Sequence, residues 1–322
     1  MIPNNIRVLL TGSTGLVGST ILERLANGPW DVVATAKSRT PHLTAPNITF
    51  IPADLRDATA CGEVVKGVDL VIHMAANTSG AASMAGDPLQ HVTPNLVMNS
   101  ALLEAAYKAG VKKVVWPSST TGYPDSDEPV TEDMMMTGDP YGTYFCVGWM
   151  KRYTEVLCRT FSEKLPRKMP CVVVRPTNVF GPRDKFDPQK SHMLAALLRK
   201  VVDGANPIEV WGDGTDVRDL VYVDDMVDAI FLAAEKIDGY DPVNIGGHVA
   251  TVKEILQIIQ EEAGRTDVPV QFDLSKPRMI PRRYVDKSKA KRLLGFEAKV
   301  SLRDGIAKTI EWYRTARKEG RL

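Results

Sequence analysis

A glycine-rich turn links an apolar, strand-like segment to a helical segment close to the beginning of the chain. Residues Ile6–Leu10 are followed by Thr11-Gly12-Ser13-Thr14-Gly15-Leu16-Val17-Gly18, and the helical pattern continues beyond them. In such a turn Gly12 allows the tight bend, Gly15 lets the backbone approach a pyrophosphate, and Gly18 lets the helix pack on the strand. The free N–H groups of the helix start then face the phosphate. The pattern predicts a dinucleotide site over Gly12–Gly18; a glycine turn without a ligand is the alternative.

Short apolar segments alternate with helical patterns through the first half of the chain. Strand-like runs lie at 31–36, 47–53, 69–76, 111–119 and 169–177, and a helical pattern over 95–110 ends at Gly110. Apolar strands separated by helices are typical of parallel strands that helices cover on both faces. We predict an α/β fold, a Rossmann-type doubly wound parallel sheet with a smaller C-terminal α/β substrate domain. The first domain is placed at 1–175, with 219–246 returning to it, and the second at 176–322.

The charge balance of the 322-residue chain limits its partners. Forty Lys and Arg residues against 39 Asp and Glu residues give a net charge of +1, which argues against nucleic acid or an anionic membrane as a partner. The sequence has no run of 18 apolar residues and no signal-peptide pattern, and none of its four cysteines forms a C-x-x-C pair. We predict a soluble, cytoplasmic protein with reduced thiols and no metal site.

The residues after the second predicted strand indicate which dinucleotide binds. An acidic residue at this place would accept a hydrogen bond from the ribose 2′-OH of NAD. The chain instead has Lys37 and Arg39, and such a cationic pair can form charge-assisted hydrogen bonds with a 2′-phosphate. We therefore predict NADP as the cofactor. NAD is the alternative if both cations are solvated loop residues.

The glycine spacing G-x-x-G-x-x-G resembles that of the extended branch of the short-chain dehydrogenase/reductase superfamily. Two further segments carry this resemblance. Asp54-Leu55 looks like the superfamily's adenine-contacting pair, and His73-Met74-Ala75-Ala76 looks like the H-x-A-A segment that lines the cofactor. The resemblance implies that Asp54, Leu55, Ala75 and Ala76 contact the cofactor. A helix N-cap is the alternative role for Asp54.

The tyrosine and lysine that the superfamily uses for proton transfer are matched only in part. Lys151 stands at the lysine's place, which implies roles in both catalysis and cofactor binding, but Val147 occupies the tyrosine's place four residues earlier. The nearest upstream phenol is Tyr144, seven residues away, and seven helical residues span about 10 Å. Either Gly148 lies in a non-helical stretch that returns Tyr144 or Tyr141 to the site, or this proton donor has been lost.

The second half of the chain resembles the GDP-fucose synthases, NADP-dependent epimerase-reductases that act on a GDP-4-keto-6-deoxy sugar. The segments 175–184, 186–200 and 210–219 carry the resemblance. It implies a cofactor contact for Pro176, Asn178, Val179 and His192, and a sugar-nucleotide contact for Asn178, Lys200, Trp211, Arg218 and Arg278. An arginine can bind a diphosphate through two hydrogen bonds, and an indole can cover the face of a base or sugar. The alternatives are a core position for Trp211 and a solvated loop position for His192.

The resemblance to the extended superfamily implies a role for Ser119, and the resemblance to the GDP-fucose synthases implies the groups that exchange protons. Ser119 takes the place of the serine that polarises the substrate carbonyl, a task that requires a hydroxyl donor near the developing alkoxide. His192 matches the histidine of the pair that exchanges protons in 3,5-epimerisation. Thr121 stands in the place of the partner cysteine, and a hydroxyl is a far poorer carbon base than a thiolate. Cys146 could substitute for that cysteine if its loop folds inward.

These observations lead to three hypotheses about function. The first is an NADP-dependent nucleotide-sugar oxidoreductase or epimerase, most like the reductases of GDP-4-keto-6-deoxy sugars and forming a homodimer. The second is a redox-neutral epimerase, dehydratase or ring-isomerising mutase that retains a bound dinucleotide. The third is a non-catalytic NADP-binding sensor.

Overall fold

The computed structural model describes residues 3–78, 87–188, 190–276 and 279–322, and a seven-stranded parallel sheet forms its centre. In chain order the strands are β1 Arg7–Thr11, β2 Asp31–Thr35, β3 Ile48–Phe50, β4 Leu70–His73, β5 Lys113–Pro117, β6 Cys171–Pro176, β7 Asn178–Phe180, β8 Ile208–Trp211, β9 Val217–Tyr222, β10 Val243–Ile245, β11 His248–Thr251, β12 Val270–Asp273 and β13 Arg282–Arg283. The large sheet has the order β10-β6-β5-β4-β1-β2-β3. Strands β1 to β3 extend the sheet in one direction and β4 to β6 extend it in the other, so the strand order reverses between β1 and β4, the place where such sheets bind ligands.

Helices cover both faces of this sheet. They are α1 Leu16–Ala26, α2 Ala58–Val64, α3 Leu89–Lys108, α4 Phe145–Glu163, α5 Met193–Val202, α6 Val223–Lys236, α7 Val252–Ala263 and α8 Leu302–Lys318. Short 3-10 turns occupy Thr120–Gly122, Glu132–Met136 and Gly142–Tyr144, and one π turn occupies Ala290–Leu294. Within the described ranges, none of the helices combines the length and apolar composition that a membrane span would need.

Neighbouring side chains of β1 enter two different cores. Val8 and Leu10 pack in one core with Ile21 of α1, whereas Leu9 packs in another with Leu102 of α3. Successive side chains of a strand point to opposite faces, so a strand that is covered on both faces reads as a continuous apolar run. This is why the pattern of the first half predicted a doubly wound sheet, and that prediction is confirmed.

The remaining strands form a smaller α/β part. A four-stranded sheet has the order β11-β9-β13 with β7 beside β9, and β12 pairs with β8. Helices α5, α7 and α8 surround its core, which includes the fully buried Leu198, Ile259 and Ile306. Strand β10, from the second half of the chain, completes the large sheet beside β6. The domain boundaries at 175 and 176 and the return of 219–246 stay predictions.

Helix α3 begins six residues before the predicted start at Asn95. Pro94 lies inside the helix and has no N–H to donate to the carbonyl of Gln90. The Asn77 side chain donates to that carbonyl instead, with a distance of 2.6 Å from Nδ2 to O. The side chain of Asn95 in turn donates to the carbonyl of Asn77 at 2.9 Å. A contact from outside the helix therefore compensates for the proline.

Candidate active site

The glycine turn lies tightly between β1, α1 and the end of β4. Gly12 has a φ of 64°, and a Cβ added to it would lie 2.6 Å from the backbone nitrogen of Ala75. A Cβ on Gly18 would lie 2.1 Å from the carbonyl oxygen of Gly12. Gly15 is the N-cap of α1 and no side chain caps the helix there, so the first N–H groups remain available to an anion. The turn fits the diphosphate of a dinucleotide.

Ser13 and Thr14 occupy different positions in this turn. The Ser13 side chain is fully buried, and its Oγ donates to the carbonyl of Thr35 at the end of β2 at 3.1 Å. Thr14 is half-buried, as are Leu16 and Val17 in the first turn of α1. Ser13 therefore ties the turn to β2, while Thr14 lies closer to solvent.

A buried hydrogen-bond chain fixes the backbone after β4. Thr11 Oγ1 lies 2.7 Å from Nδ1 of His73 and accepts from the backbone N–H of Ala75 at 3.0 Å. The other ring nitrogen of His73 lies 2.9 Å from Oδ1 of Asn99. Since that oxygen only accepts, His73 carries its proton on Nε2. Burial lowers the pKa of His73 to about 4, so the ring is neutral. The chain holds Ala75 and Ala76 at the edge of the sheet beside Gly12.

Acidic and basic side chains meet at the end of β2. Asp54 lies 3.2 Å from the Lys37 ammonium and 2.5 Å from Nη2 of Arg56. Arg56 holds the pKa of Asp54 well below its usual range. Asp57, not Asp54, caps α2 by accepting from the backbone of Thr59, so the alternative of Asp54 as the N-cap is wrong. The carboxylate of Asp54 is instead held among cations.

The other two residues predicted near the adenosine lie at opposite extremes of exposure. Arg39 is exposed beyond the end of β2, so solvent and ligands reach its guanidinium. Leu55 is only 4% exposed and packs in the core below α3. Its side chain is therefore a packing residue, and only its backbone remains for a ligand contact.

The serine segment follows β5. Ser119 caps the turn Thr120–Gly122 by accepting from the backbone N–H of Thr121 at 3.2 Å. The hydroxyl oxygens of Ser118 and Thr121 are buried and have no hydrogen-bond partner within the part of the chain that the structure describes. An unpaired buried hydroxyl costs free energy unless a ligand satisfies it. The segment therefore offers hydroxyl groups to a substrate oxygen.

Helix α4 carries Lys151, and the residue one turn before it is Val147 instead of a tyrosine. Gly148 is helical, and a Cβ on it would lie 2.6 Å from the carbonyl oxygen of Thr121. A non-helical stretch at Gly148 that returns a tyrosine is therefore wrong. Lys151 Nζ donates to the carbonyl of Pro117 at 3.1 Å and lies 4.6 Å from the ring centroid of Trp116. Burial lowers the pKa of Lys151 to about 8. Lys151 therefore holds an ammonium group that is more acidic than usual against the backbone of Pro117, two residues before Ser119.

Tyr144 precedes α4 and faces different cations. Burial raises the pKa of its phenol, and the positive charges of Arg218 and Arg283 partly oppose this increase. The ring of Tyr141 lies 6.2 Å from that of Tyr144. Cys146, the second residue of α4, is exposed and does not fold inward. The structure therefore brings Tyr144 towards the arginines of the smaller α/β part.

Arg218 and Arg283 form a pair that the sequence did not reveal. They are register partners on the parallel strands β9 and β13, and both are buried. Arg218 contacts the Asp216 carboxylate at 3.0 Å. Arg283 donates to the carbonyl of Pro124 at 3.1 Å, while its Nε is buried without a partner among the described residues. Two buried guanidinium groups side by side favour a bound dianion such as a diphosphate.

Trp211 is the last residue of β8, and Lys200 on α5 contacts the same strand. The Trp211 side chain is 45% exposed, so the alternative of a core position is wrong. Its indole N–H donates to Oε1 of Glu209 at 3.0 Å. Lys200 Nζ donates to the backbone carbonyl of Glu209 at 2.7 Å. The indole thus presents a ring face to solvent, and Lys200 supports the strand beneath it. Arg278 lies outside the described residues.

The segment 181–188 connects the two parts of the molecule. Arg183 contacts the carboxylate of Glu23 on α1 at 2.5 Å, and Lys185 donates to the carbonyl of Thr78 after β4 at 2.6 Å. His192 follows as the N-cap of α5. Solvent reaches its side chain, yet the surrounding protein and the charge of Lys185 lower its pKa. The ring of His192 is therefore neutral at neutral pH, and its role in proton exchange stays a prediction.

Asn178, between Pro176 and Val179, lies where the chain passes from β6 to β7. Its side-chain amide donates to the backbone carbonyl of Asp219 at 2.9 Å, and Asn178 is otherwise exposed. Strand β7 pairs with β9, so Asn178 stands at the junction of the large sheet and the smaller α/β part. This position gives it access to ligands held by either part.

The seven-stranded sheet, the glycine turn and the serine–lysine edge define a Rossmann-type enzyme of the extended short-chain dehydrogenase/reductase class. The chain belongs to the NAD dependent epimerase/dehydratase family, whose sequence pattern matches residues 8–246. It is accordingly an NAD(P)-dependent enzyme of the nucleotide-sugar epimerase and reductase type.

Three similar proteins illustrate the reactions of this family. GDP-L-fucose synthase 1 of Arabidopsis thaliana is 29% identical over 97% of this chain and 94% of its own length. UDP-glucose 4-epimerase of Mycolicibacterium smegmatis is 32% identical over 96% of this chain and 99% of its own length. The structure of a dTDP-glucose 4,6-dehydratase from Streptomyces venezuelae, with NAD and TYD bound, superposes with a TM-score of 0.85 at 26% identity, covering 98% of both chains.

Proposed function

We propose that this protein uses NADPH to reduce the keto group of a nucleotide-linked 4-keto-6-deoxy sugar, with GDP as the nucleotide. The observation that carries the proposal is the pairing of Arg218 with Arg283 on neighbouring strands. A diphosphate is the ligand that balances two adjacent buried guanidinium groups. The exposed face of Trp211 is available to the base.

The hydroxyl and ammonium groups at the edge of the large sheet serve the reacting carbonyl. When bound, the nicotinamide supplies the hydride that adds to the keto carbon. Ser119 donates a hydrogen bond to the carbonyl oxygen as it becomes an alkoxide, and the unpaired hydroxyl of Thr121 offers a second donor. Lys151, whose pKa is lowered to about 8, stabilises the negative charge and is acidic enough to supply the proton at neutral pH. His192 is the acid–base group for any epimerisation at a carbon next to the carbonyl.

Lys37 and Arg39 support NADP rather than NAD as the cofactor. Lys37 lies beside the carboxylate of Asp54, and Arg39 is exposed at the same edge. A 2′-phosphate placed there would gain charge-assisted hydrogen bonds from both side chains. In this arrangement Asp54 orients Lys37 and contacts the adenine.

A redox-neutral reaction on a nucleotide sugar is the second candidate function. It is favoured by Val147, which stands one helical turn before Lys151 inside the regular helix α4, so no phenol is coupled to the lysine there. The two candidates are separated by incubating the protein with NADPH and a GDP-4-keto-6-deoxy sugar. Reduction consumes the near-ultraviolet absorbance of NADPH in proportion to product. Sugar turnover with constant absorbance would instead support epimerisation, dehydration or ring isomerisation.

A homodimer and a cytoplasmic location complete the proposal. The outer faces of α3 and α4 carry large apolar side chains that are at least 43% exposed, namely Leu89, Val97, Phe145, Trp149, Tyr153 and Val156. The groove between the helices has a volume of about 290 Å³. A second copy packed on this face would remove these side chains from water. The four free cysteines fit a reducing compartment.

A further inference from the structure

Glu209 and Trp211 form a polar and aromatic pair on the outer face of β8. Ile208 and Val210 are buried in the core, whereas Glu209 and Trp211 point the other way and are partly exposed. This alternation follows from the two-residue period of a strand. The indole N–H donates to Oε1 of Glu209 at 3.0 Å. The carboxylate is thus held at the edge of the exposed ring.

One oxygen of this carboxylate stays available. Lys200 Nζ makes its short contact, 2.7 Å, with the backbone carbonyl of Glu209 and lies 3.8 Å from Oε1. Oε2 accepts no hydrogen bond from any residue that the structure describes, and the Glu209 side chain is 47% exposed. Lys276 Nζ lies over the Trp211 ring, 5.9 Å from its centroid. A flat ligand that displaces the Lys276 ammonium would stack on the indole with its edge turned towards the free carboxylate oxygen.

We infer that Glu209 selects guanine as the base of the substrate. The inference rests on the proposed function, in which the base covers Trp211. A carboxylate is a pure acceptor, and guanine presents two donors side by side on one edge, N1–H and the N2 amino group. Oε2 can accept from one of these donors, and Oε1, which keeps a lone pair beside the indole N–H, can accept from the other. Such charge-assisted pairing is strong and geometrically specific.

Other bases fit this acceptor less well. Hypoxanthine keeps the N1–H group but lacks the amino group, so it loses one hydrogen bond. Uracil has one N–H group between two carbonyl oxygens, and these oxygens repel a carboxylate. A site that is built to pair with donors rejects analogues that lack them, because its own polar groups are then left unpaired.

The test is isothermal titration calorimetry of the NADP-saturated protein with GDP, IDP and UDP. The wild type is expected to bind GDP about tenfold more tightly than IDP, and UDP more weakly still. Glu209→Gln replaces one acceptor oxygen by a donor, so it should weaken GDP binding by about ten- to a hundredfold while UDP binding stays equal or improves. Glu311→Gln, which removes the same charge from an exposed position of α8, should bind all three ligands as the wild type does.

The outcomes separate this inference from the proposed function. Equal affinities for GDP and UDP in the wild type, or an unchanged order of affinities in Glu209→Gln, would overturn the role of Glu209. The reduction of a nucleotide-linked keto sugar, which the NADPH absorbance assay tests separately, would still stand. If none of the three diphosphates binds, the proposed function and the inference both fail. Because Glu209 is exposed, the variant should keep the wild-type melting temperature, which is measured alongside.

Discussion

Arg218 and Arg283 lie opposite each other on the parallel strands β9 and β13, and both side chains are buried. Burial lowers the pKa of Arg283, and the positive charge of Arg218 on the neighbouring strand contributes to the decrease. The carboxylate of Asp216 contacts Arg218, while Arg283 contacts backbone carbonyls. This relationship is the basis for assigning the diphosphate of a sugar nucleotide to the site.

Replacing Arg283 by Met should weaken nucleoside diphosphate binding by about a hundredfold and leave NADPH binding unchanged. Without the buried guanidinium group, the bound diphosphate loses a charge-assisted contact that contributes about 2 kcal/mol or more to binding. Arg282→Met is the matched control, because its side chain is 56% exposed on the same strand. Calorimetric titration with GDP measures both variants. Equal losses in the two variants would contradict the assignment.

Replacing Gly15 by Ala should reduce cofactor affinity without unfolding the protein. A Cβ on Gly15 would lie 3.5 Å from the nearest heavy atom, the carbonyl oxygen of Gly12, so the fold accommodates it, but the methyl group occupies the approach of the pyrophosphate. We expect at least a tenfold loss of NADPH affinity, measured by quenching of tryptophan fluorescence. Gly62→Ala, a helical position with nothing near its Cβ, should bind NADPH normally and gain about 0.5–1 kcal/mol of stability. Unchanged NADPH binding in Gly15→Ala would place the cofactor elsewhere.

Replacing Arg39 by Ala should lower affinity for NADPH about tenfold and leave affinity for NADH unchanged. The substitution removes an exposed guanidinium group whose one proposed ligand contact is the 2′-phosphate, and NADH lacks this phosphate. Arg56→Ala serves as the control, since Arg56 holds Asp54 and is expected to affect both cofactors alike. Parallel losses for NADPH and NADH in Arg39→Ala would contradict the preference for NADP.

The stability of the protein should fall below pH 6.5 because of His73. Its pKa is lowered from 6.5 to about 4 in the folded chain, so between these values the unfolded chain binds a proton that the folded chain does not. Stability therefore decreases as pH falls through this window, by about 3 kcal/mol when the effect is complete. Urea unfolding from pH 7 to pH 4.5 should show a shallower decrease in His73→Asn than in the wild type. Comparing the two proteins removes the opposite contribution of Asp184, whose pKa is raised. Identical slopes would exclude a neutral, buried His73.

The large sheet and the glycine turn could be predicted because both are encoded locally. An apolar strand such as β1, and a glycine such as Gly12 in a tight turn, can each be recognised from a few neighbouring residues of sequence. The start of α3 could not be predicted in this way. In a sequence, Pro94 indicates a helix boundary. The hydrogen bond from Asn77, which lies outside the helix, satisfies the Gln90 carbonyl and allows the helix to continue through the proline.

The candidate site was predictable only where a family motif marks a residue. Arg218 belongs to such a motif, whereas Arg283 lies in a two-residue strand whose importance depends on its register with β9. The spacing of Val147 and Lys151 showed that a phenol is missing there. The direction in which Tyr144 turns, towards Arg218 and Arg283, depends on tertiary packing that no local pattern encodes.

Hydride transfer from NADPH to a nucleotide-linked keto sugar is the central claim, and an isotope experiment tests it most directly. The protein is incubated with a GDP-4-keto-6-deoxy sugar and NADPH that carries deuterium at the transferable position, and the sugar nucleotide is analysed by mass spectrometry. The account predicts a product that contains the deuterium, formed together with an equal amount of NADP. A product without deuterium, formed while the NADPH remains reduced, would contradict it.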